Sequence, residues 1–208
     1  MARTSRAMTK QSLTVIKRRS KLNRKLESAN AWCLDLSGAI LKRADLIDAH
    51  LEKAVFTEAH LEGAVLRGAH LKRARFLNAH LEQADLRTAD LEEADLREAN
   101  LEDANLWNAN LKWACLRRAH FRRANLWSAD LTRADPGEAN FEEATLWDAQ
   151  LAGLNLVVTH GLSEAGLRST HGDATTLLPP ELPRPRQWPA EATGIGPAPP
   201  DRLADPAT

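Results

Sequence analysis

Alanine and a larger apolar residue recur with a strict period of five along the middle of the chain. Alanine occupies every fifth position from Ala39 to Ala149, which gives 23 alanines without a break. Two residues after each alanine comes Leu or Phe, from Leu41 to Leu151, with Pro136 as the exception. The residue between the two is in most repeats a small polar residue or His, so the consensus is A-(D/N/H)-L-x-x. All four phenylalanines of the chain take the Leu position: Phe56, Phe76, Phe121 and Phe141.

A period of five fits neither a continuous helix nor a continuous strand. In a helix, five residues shift the apolar pair by about 140° around the axis, so the leucines would spread over all sides. In a strand, residues five apart point to opposite faces. The pattern therefore predicts that the chain turns once per repeat, so that every Ala and Leu pair points to the same side. Such short units cannot bury their apolar residues alone and must coil and stack.

Three tryptophans indicate how many repeats make one turn of this coil. Trp107, Trp127 and Trp147 each follow a Leu and lie 20 residues apart, which is four repeats. The 25 repeats centred on Leu36 through Leu156 then make just over six turns. At roughly 4.8 Å per stacked strand, the rod would be about 30 Å long. A glutamate column has the same spacing, with Arg122 interrupting it: Glu62, Glu82, Glu102 and Glu142.

The run ADLRTADLEEADLREANLEDANLWNANL, residues 84–111, resembles the pentapeptide repeat family. The resemblance covers about residues 34–158. It implies an all-β fold, a right-handed quadrilateral parallel β-helix with four repeats per coil and about six coils. Leu or Phe and the preceding small residue would fill the interior, and the other three positions would face outward. One interior column would hold Leu46, Leu66, Leu86, Leu106, Leu126 and Leu146, and the four phenylalanines would join the core.

Composition divides the chain into four segments. Residues 1–33 form a basic arm that we expect to cap the first coil or to be disordered, and residues 34–158 form the solenoid. Residues 159–171 are predicted to be a short helical cap with Ser163 at its N-terminus. Residues 172–208 are rich in proline, so we expect an extended or disordered tail. Part of this tail resembles the tail of bacterial pentapeptide repeat proteins, at Gly172, Asp173, Thr176, Leu178, Pro179, Arg184, Pro185 and Trp188.

One repeat, in the sequence ADPGEAN, departs from the pattern. Pro136 takes the Leu position and Gly137 follows it. Asp-Pro-Gly is typical of a turn, and proline has no N–H to donate to a β-ladder. We expect a local kink or a loosened coil at this point, either as a functional hinge or as a tolerated defect.

Charge is balanced overall but unevenly distributed. The chain has 28 basic and 28 acidic residues, of which residues 1–35 hold nine basic and two acidic ones. The basic arm would suit nucleic acid or an anionic surface if it is not a cap. Two cysteines, Cys33 and Cys115, offer no disulfide framework and favour a reducing compartment. With no signal peptide and no stretch near the roughly 18 apolar residues of a membrane span, we predict a cytoplasmic location.

No catalytic or cofactor-binding constellation stands out, so we predict that the protein is not an enzyme, binds no cofactor and acts on no small-molecule substrate. Regularly spaced histidines are the one group of residues that suggests a metal site. His50 and His70 fall in one column, and His60, His80 and His120 fall in another. All five take the position usually held by Asp or Asn, and the sequence shows no Cys or Glu that completes a convincing ligand set. We interpret them as polar residues of the solenoid wall and predict no metal site.

The tryptophan column is the most distinctive outward feature. Below Trp107, Trp127 and Trp147, the same column continues with Arg87, Arg67 and Ile47. Aromatic strips beside polar residues are enriched at binding surfaces, which makes the three tryptophans, Arg67 and Arg87 candidate contacts. The strip could bind a partner protein or a second copy, be covered by the chain's own Pro-rich tail, or be a ladder that supports the wall.

We therefore predict a non-enzymatic protein-interaction scaffold. The resemblance implies an alternative, because some family members mimic duplex DNA, bind type II topoisomerases and protect against quinolones. Such mimicry needs a strongly negative surface, whereas residues 36–155 hold 15 basic and 20 acidic groups. The basic residues that interrupt the acidic surface include Arg117, Arg118, Arg122 and Arg123. A third hypothesis is an adaptor anchored to a polyanion by the basic arm.

Overall fold

Parallel β-bridges between residues 20 positions apart organise the chain in the computed structural model, which describes residues 33–190. The bridges begin with Asp35↔Val55 and keep this spacing as far as Asn140↔His160. Each bridge is isolated, because a turn of two residues separates it from the next one along the chain. Every 20 residues therefore contain four bridges and four turns and stack on the following 20. The predicted N-terminal arm, apart from Cys33, and residues 191–208 lie outside the described residues.

A single repeat shows why this sequence makes a corner every five residues. Leu46 donates its backbone N–H to Val65 O one coil later, at 2.7 Å, and Ala49 N closes the turn on Leu46 O at 3.1 Å. Asp48, in the second position of the turn, has a φ of 52°. Nineteen non-glycine residues of the described chain have a positive φ, each in this same position. Stacked hydrogen bonds thus hold a backbone conformation that L-residues rarely adopt.

The interior is a continuous column of Leu, Phe and Ala. Phe56 and Phe76 stack with ring centroids 4.8 Å apart, and Phe121 and Phe141 stack at 5.2 Å, which are the distances between successive coils. Full burial of each large side chain contributes about 1.5–3 kcal/mol. The alanines of the repeat are buried as well, except Ala39 and Ala144, which are partly buried against the core. The structure buries every leucine of the column named above: Leu46, Leu66, Leu86, Leu106, Leu126 and Leu146.

Pro136 occupies its interior position but interrupts the ladder. Its side chain is buried and Ala139 N still closes the turn on Pro136 O at 2.8 Å. Within the described chain, however, Asp135 forms no bridge to Asn155, since proline has no N–H to give to the next coil. The positive φ, 41°, is at Gly137, one position earlier than in the other repeats. The irregularity is therefore a changed turn and a missing rung at one corner.

A short helix takes the place of one side in the last coil. Helix α1 spans Glu164–Leu167, and Ser163 caps it by accepting a hydrogen bond from Gly166 N at 3.1 Å. Leu167 is fully buried and closes the apolar interior. No helix in residues 33–190 has the length and apolarity that crossing a membrane requires. The extra residues lengthen the last coil, so its bridges span more than 20 residues: Gln150↔His171 and Asn155↔Leu177.

Residues 172–190 pack against this last coil, although proline content led us to expect an extended or disordered tail. Trp188 is 5% exposed and donates its indole N–H to Thr170 O at 2.8 Å. The guanidinium of Arg184 donates to three backbone carbonyl oxygens, of Asp173, Thr176 and Pro189. Apart from the bridge of Leu177 to Asn155, the segment has no regular secondary structure. One buried indole and one multiply bonded guanidinium anchor it, and composition does not reveal such contacts.

Candidate protein-binding site

The three tryptophans of the column lie on the surface of one side of the solenoid. Trp107, Trp127 and Trp147 are 43%, 44% and 59% exposed. Each occupies the first position of a turn, directly after a leucine that points inward. The rings of Trp127 and Trp147 meet edge to face with centroids 5.7 Å apart, a favourable aromatic geometry. We call the surface formed by residues 105–108, 125–128 and 145–148 the Trp face.

Asparagine side chains hold the backbone of the Trp face. Asn105 Oδ1 accepts the backbone N–H of Trp107 at 3.1 Å, and Asn125 Oδ1 accepts that of Trp127 at 3.0 Å. Asn125 Nδ2 in turn donates to Asn105 Oδ1 at 3.3 Å across the two coils. The backbone of Trp107 and Trp127 is therefore held within its repeat and between repeats. Trp147 has Thr145 in place of the asparagine, and its backbone carbonyl accepts a hydrogen bond from Ser128 N at 2.7 Å.

The Trp face has a single ionisable side chain, Asp148. Its carboxylate accepts hydrogen bonds from His171 Nε2 at 2.8 Å and from Ser128 Oγ at 2.9 Å. These bonds, that of His171 first, lower the pKa of Asp148. The one charge of the face is thus already engaged by Ser128 and His171, and the other side chains around the indoles are uncharged.

The two arginines predicted as further contacts lie in the coils below the Trp face. Arg87 makes a bidentate ion pair with Asp85, with N–O distances of 2.8 and 2.7 Å. This pairing is the main cause that lowers the pKa of Asp85. Arg67 is exposed one coil below. The column is therefore divided into a charged lower part and an uncharged aromatic upper part.

Other sides of the solenoid carry dense ion pairs instead. Arg122 lies between glutamates of the coils below and above, at 3.3 Å from Glu102 and 3.5 Å from Glu142. Arg123 pairs with Asp103 at 2.7 Å. Compared with these surfaces, the Trp face exposes apolar area with few charges around it, as the centres of protein interfaces do.

A fourth exposed tryptophan lies away from the Trp face. Trp113 is 41% exposed, but it occupies the second position of a turn on another side, where its φ is 60°. The guanidinium of Arg133, one coil later, lies 5.0 Å from its ring centroid, which is a cation–π contact. Trp113 thus resembles the three tryptophans of the Trp face in exposure but not in location.

The structure brings glutamates to the histidine columns, although the sequence showed no convincing ligand set. His60 Nδ1 lies 3.2 Å from Glu62 Oε1, and the ring of His80 stacks on that of His60. His50, Glu52 and His70 form a similar group on another side of the solenoid. The signal that was overlooked is His-x-Glu combined with a second His 20 residues later.

The described cysteines show no sign of activation. Burial raises the pKa of the Cys115 thiol, which therefore stays protonated at neutral pH. Its position, like that of the histidines, is the one usually held by Asp or Asn. Cys33 is exposed at the start of the described chain, and neither cysteine forms a disulfide.

Comparison with known proteins places the repeats in one sequence family. The family model described as "Pentapeptide repeats" matches eight copies, over residues 25–57, 49–87, 84–123 and 119–156. These matches span most of the solenoid and more than half of the chain. No curated protein sequence matches the chain significantly.

Solved structures of pentapeptide repeat proteins align with the chain. HetL from the cyanobacterium Nostoc sp. strain PCC 7120, involved in heterocyst differentiation regulation, is 25% identical over 70% of this chain and 72% of its own, with a TM-score of 0.45. Rfr23 from the cyanobacterium Cyanothece 51142 is 34% identical over 54% of this chain and 65% of its own, with a TM-score of 0.29. QnrB1, a plasmid-mediated fluoroquinolone resistance protein, is 16% identical over 71% of this chain and 83% of its own, also with a TM-score of 0.29.

Proposed function

We propose, for a chain that belongs to the pentapeptide repeat family, a role as a non-enzymatic protein-interaction scaffold whose binding surface is the Trp face. In this proposal the scaffold is a right-handed, four-sided β-helix of about six coils. Helix α1 and the Pro-rich residues 172–190 close its C-terminal end. The free thiols of Cys33 and Cys115 favour a reducing location such as the cytoplasm.

The observation that carries the proposal is the exposure of three aligned indoles on a surface whose one charged side chain, Asp148, is already paired with His171. Tryptophan is enriched among the residues that contribute most to protein binding. Exposing Trp107, Trp127 and Trp147 at 43–59% leaves apolar area in water that a partner would remove. Their backbone carbonyl oxygens all accept hydrogen bonds from the coil below, and asparagines also hold the N–H groups of Trp107 and Trp127, so little backbone entropy remains to be lost on binding.

The chemistry of the face defines the kind of partner. A strip of indoles, amides and two hydroxyls, with the one carboxylate of Asp148, fits a protein surface that offers apolar side chains and hydrogen-bonding groups. Such a contact depends little on ionic strength, because screening acts on charges. A second copy of the chain satisfies the same requirement through its own Trp face.

Affinity capture with purified variants tests the proposal. Trp107→Ala/Trp127→Ala/Trp147→Ala should lose the specific partner, or the self-association seen by analytical ultracentrifugation. Trp113→Ala removes an equally exposed tryptophan from another side and should keep both. Binding of the purified partner should change less than about threefold between 50 and 300 mM salt, as expected for an uncharged contact. The proposal fails if the folded triple variant binds every partner as the wild type does.

The arginine pairs weigh against DNA mimicry by this chain. Arg122 and Arg123 pair with acids of the coils below and above them, so the acidic columns are not a continuous negative surface. A gyrase supercoiling assay separates the two functions: inhibition or protection from a quinolone at micromolar protein would favour mimicry over the scaffold. The polyanion hypothesis concerns the N-terminal arm, outside the described residues. Deleting residues 1–25 should abolish binding with a steep salt dependence if it holds.

A further inference from the structure

Two histidines of successive coils and one glutamate form a compact group on the wall of the solenoid. His60 and His80 stack with ring centroids 4.7 Å apart and an interplanar angle of 3°. Glu62 lies beside them, and one potential ligand atom from each of the three residues lies within 4.8 Å of the other two. Imidazole nitrogen and carboxylate oxygen are the ligands that zinc and its neighbours in the first transition row accept.

The same group occurs a second time, half a coil away along the sequence. His50 and His70 stack with centroids 4.4 Å apart and an interplanar angle of 8°. His50 Nδ1 lies 3.4 Å from Glu52 Oε1, and again the three ligand atoms lie within 4.8 Å of one another. Both groups follow one rule, with His at position n, Glu at n+2 and His at n+20. Two occurrences of this rule in one chain argue against a chance contact.

A third His-x-Glu pair shows what happens when the rule is incomplete. His80 and Glu82 have Asn100, not histidine, in the coil above, and the amide of Asn100 donates to Glu82 Oε1 at 2.7 Å. An amide can therefore take the place of the second imidazole beside Glu82 Oε1, while Glu82 Oε2, like Glu62 Oε2, is buried without a hydrogen-bond partner among the described residues. Replacing that donor by a second imidazole creates a group with two nitrogen acceptors available for a cation.

The first group contains a buried carboxylate oxygen that lacks a hydrogen-bond partner among the described residues. Glu62 Oε2 is buried and has no hydrogen-bond partner among the described residues, whereas Oε1 faces Lys42 Nζ at 2.9 Å. A buried carboxylate oxygen without a partner is costly. A metal ion bound between Oε2 and the two imidazoles would satisfy it.

We propose that each group, His60–Glu62–His80 and His50–Glu52–His70, binds one divalent transition-metal ion of the zinc class. Three protein ligands leave a fourth position of the tetrahedron for water or for a ligand from a partner. Ligand atoms around tetrahedral zinc are about 3.3 Å apart, so the half-exposed rings need only tilt towards each other. Because each pair of histidines belongs to two coils, the ion clamps successive coils together.

Metal titration of the untagged, metal-free full-length chain tests the proposal. Isothermal titration with Zn²⁺ should give two sites per chain, and Co²⁺ should give the absorption bands of tetrahedral coordination. Zn²⁺ should also raise the thermal midpoint, because the assembled groups exist only in the folded chain. His60→Gln should remove one equivalent and leave the other, and His70→Gln should do the same for the other group.

The matched control is His120→Gln, which removes a histidine of the same column that has Arg122 at n+2 and Asn140 one coil above. This variant should keep both equivalents, and circular dichroism should show the same fold for all variants. The double variant His60→Gln/His70→Gln should weaken binding by about tenfold or more at both sites. The proposal is overturned if the double variant binds Zn²⁺ as the wild type does, or if wild-type binding is lost equally in His120→Gln.

Discussion

The indole of Trp188 occupies the space that a side chain at Gly172 would need. A Cβ atom built on Gly172 would overlap the Trp188 ring atoms Cε3, Cδ2 and Cε2. Gly172 takes the interior position of its repeat, where leucine stands in the regular coils. The absence of a side chain there lets an indole from the tail enter and close the end of the core.

Gly172→Ala should therefore destabilise the protein by about 1–3 kcal/mol, as overpacking of a core does. Trp188→Ala should cost about 3–5 kcal/mol, because it leaves the end of the core open. In the Trp188→Ala background, Gly172→Ala should cost little, since the obstructing ring is gone. Urea denaturation of the four proteins of this cycle measures the coupling. Additive costs would show that the two residues do not share this space.

Pro136→Leu should stabilise the solenoid by about 1 kcal/mol. Leucine restores a backbone N–H that can donate to the coil above, in the way that Leu116 N donates to Asp135 O at 2.7 Å. The converse change, Leu116→Pro, should destabilise, because it removes that bond and copies the irregular corner one coil earlier. Thermal unfolding followed by circular dichroism measures both. A lower midpoint for Pro136→Leu would mean that the altered turn, not the missing donor, suits this corner.

Arg97→Ala should cost more stability than Arg87→Ala, although both arginines pair with an aspartate two residues earlier. The side chain of Asp95 is only 4% exposed, whereas that of Asp85 is 22% exposed. Removing Arg97 leaves a buried carboxylate without its ion-pair partner, which costs about 3 kcal/mol. The more solvated pair should contribute about 1 kcal/mol or less. Urea denaturation midpoints of the two variants measure these losses of stability. Equal losses would contradict the argument that the more buried carboxylate depends more on its arginine.

Stability should fall as the pH is lowered below about 4. Hydrogen bonds from Arg87 and from Arg123 lower the pKa of Asp85 and of Asp103 in the folded chain. The unfolded chain binds protons near the ordinary aspartate value of about 3.9, before the folded chain does. The stabilising contribution is therefore fully present above that pH and is lost as the pH falls through the folded pKa.

Urea midpoints between pH 6 and pH 3 measure this dependence. Arg87→Ala should reduce it, because the aspartate then titrates near its ordinary pKa in both states. Trp113→Ala changes no carboxylate pair and serves as the control. An unchanged urea midpoint across this range for the wild type would contradict the sign of the shifts.

Much of the interior could be predicted from the sequence, because every repeat carries the same pattern of Ala and Leu. The period of five places one Ala and one Leu inward in each repeat, and the 20-residue spacing of Trp107, Trp127 and Trp147 places equivalent residues above one another. Neighbouring coils are then fixed by local geometry alone. The structure agrees in detail, since bridges join residues 20 apart and the Phe56 and Phe76 rings stack.

Contacts that do not repeat could not be read in this way. Proline content predicts an extended or disordered tail, but Trp188 and Arg184 both donate hydrogen bonds to backbone carbonyl oxygens. The indole of Trp188 also fills a space near the end of the core. No sequence period reveals these contacts. The glutamates beside His50 and His60 do not stand out in the sequence, because each belongs to a different column from its histidine. Ligand groups here combine a residue of the same repeat with one of the next coil.

The sequence by itself determined the repeat, the inward and outward positions and the family, because a short apolar period allows the chain only one way to bury its alanines and leucines. Tertiary structure decided how the last coil is closed, which charges are paired and which side exposes an uncharged aromatic surface. These features depend on contacts between residues of different coils and on the solvent each side chain retains. Such contacts arise only when the coils are stacked.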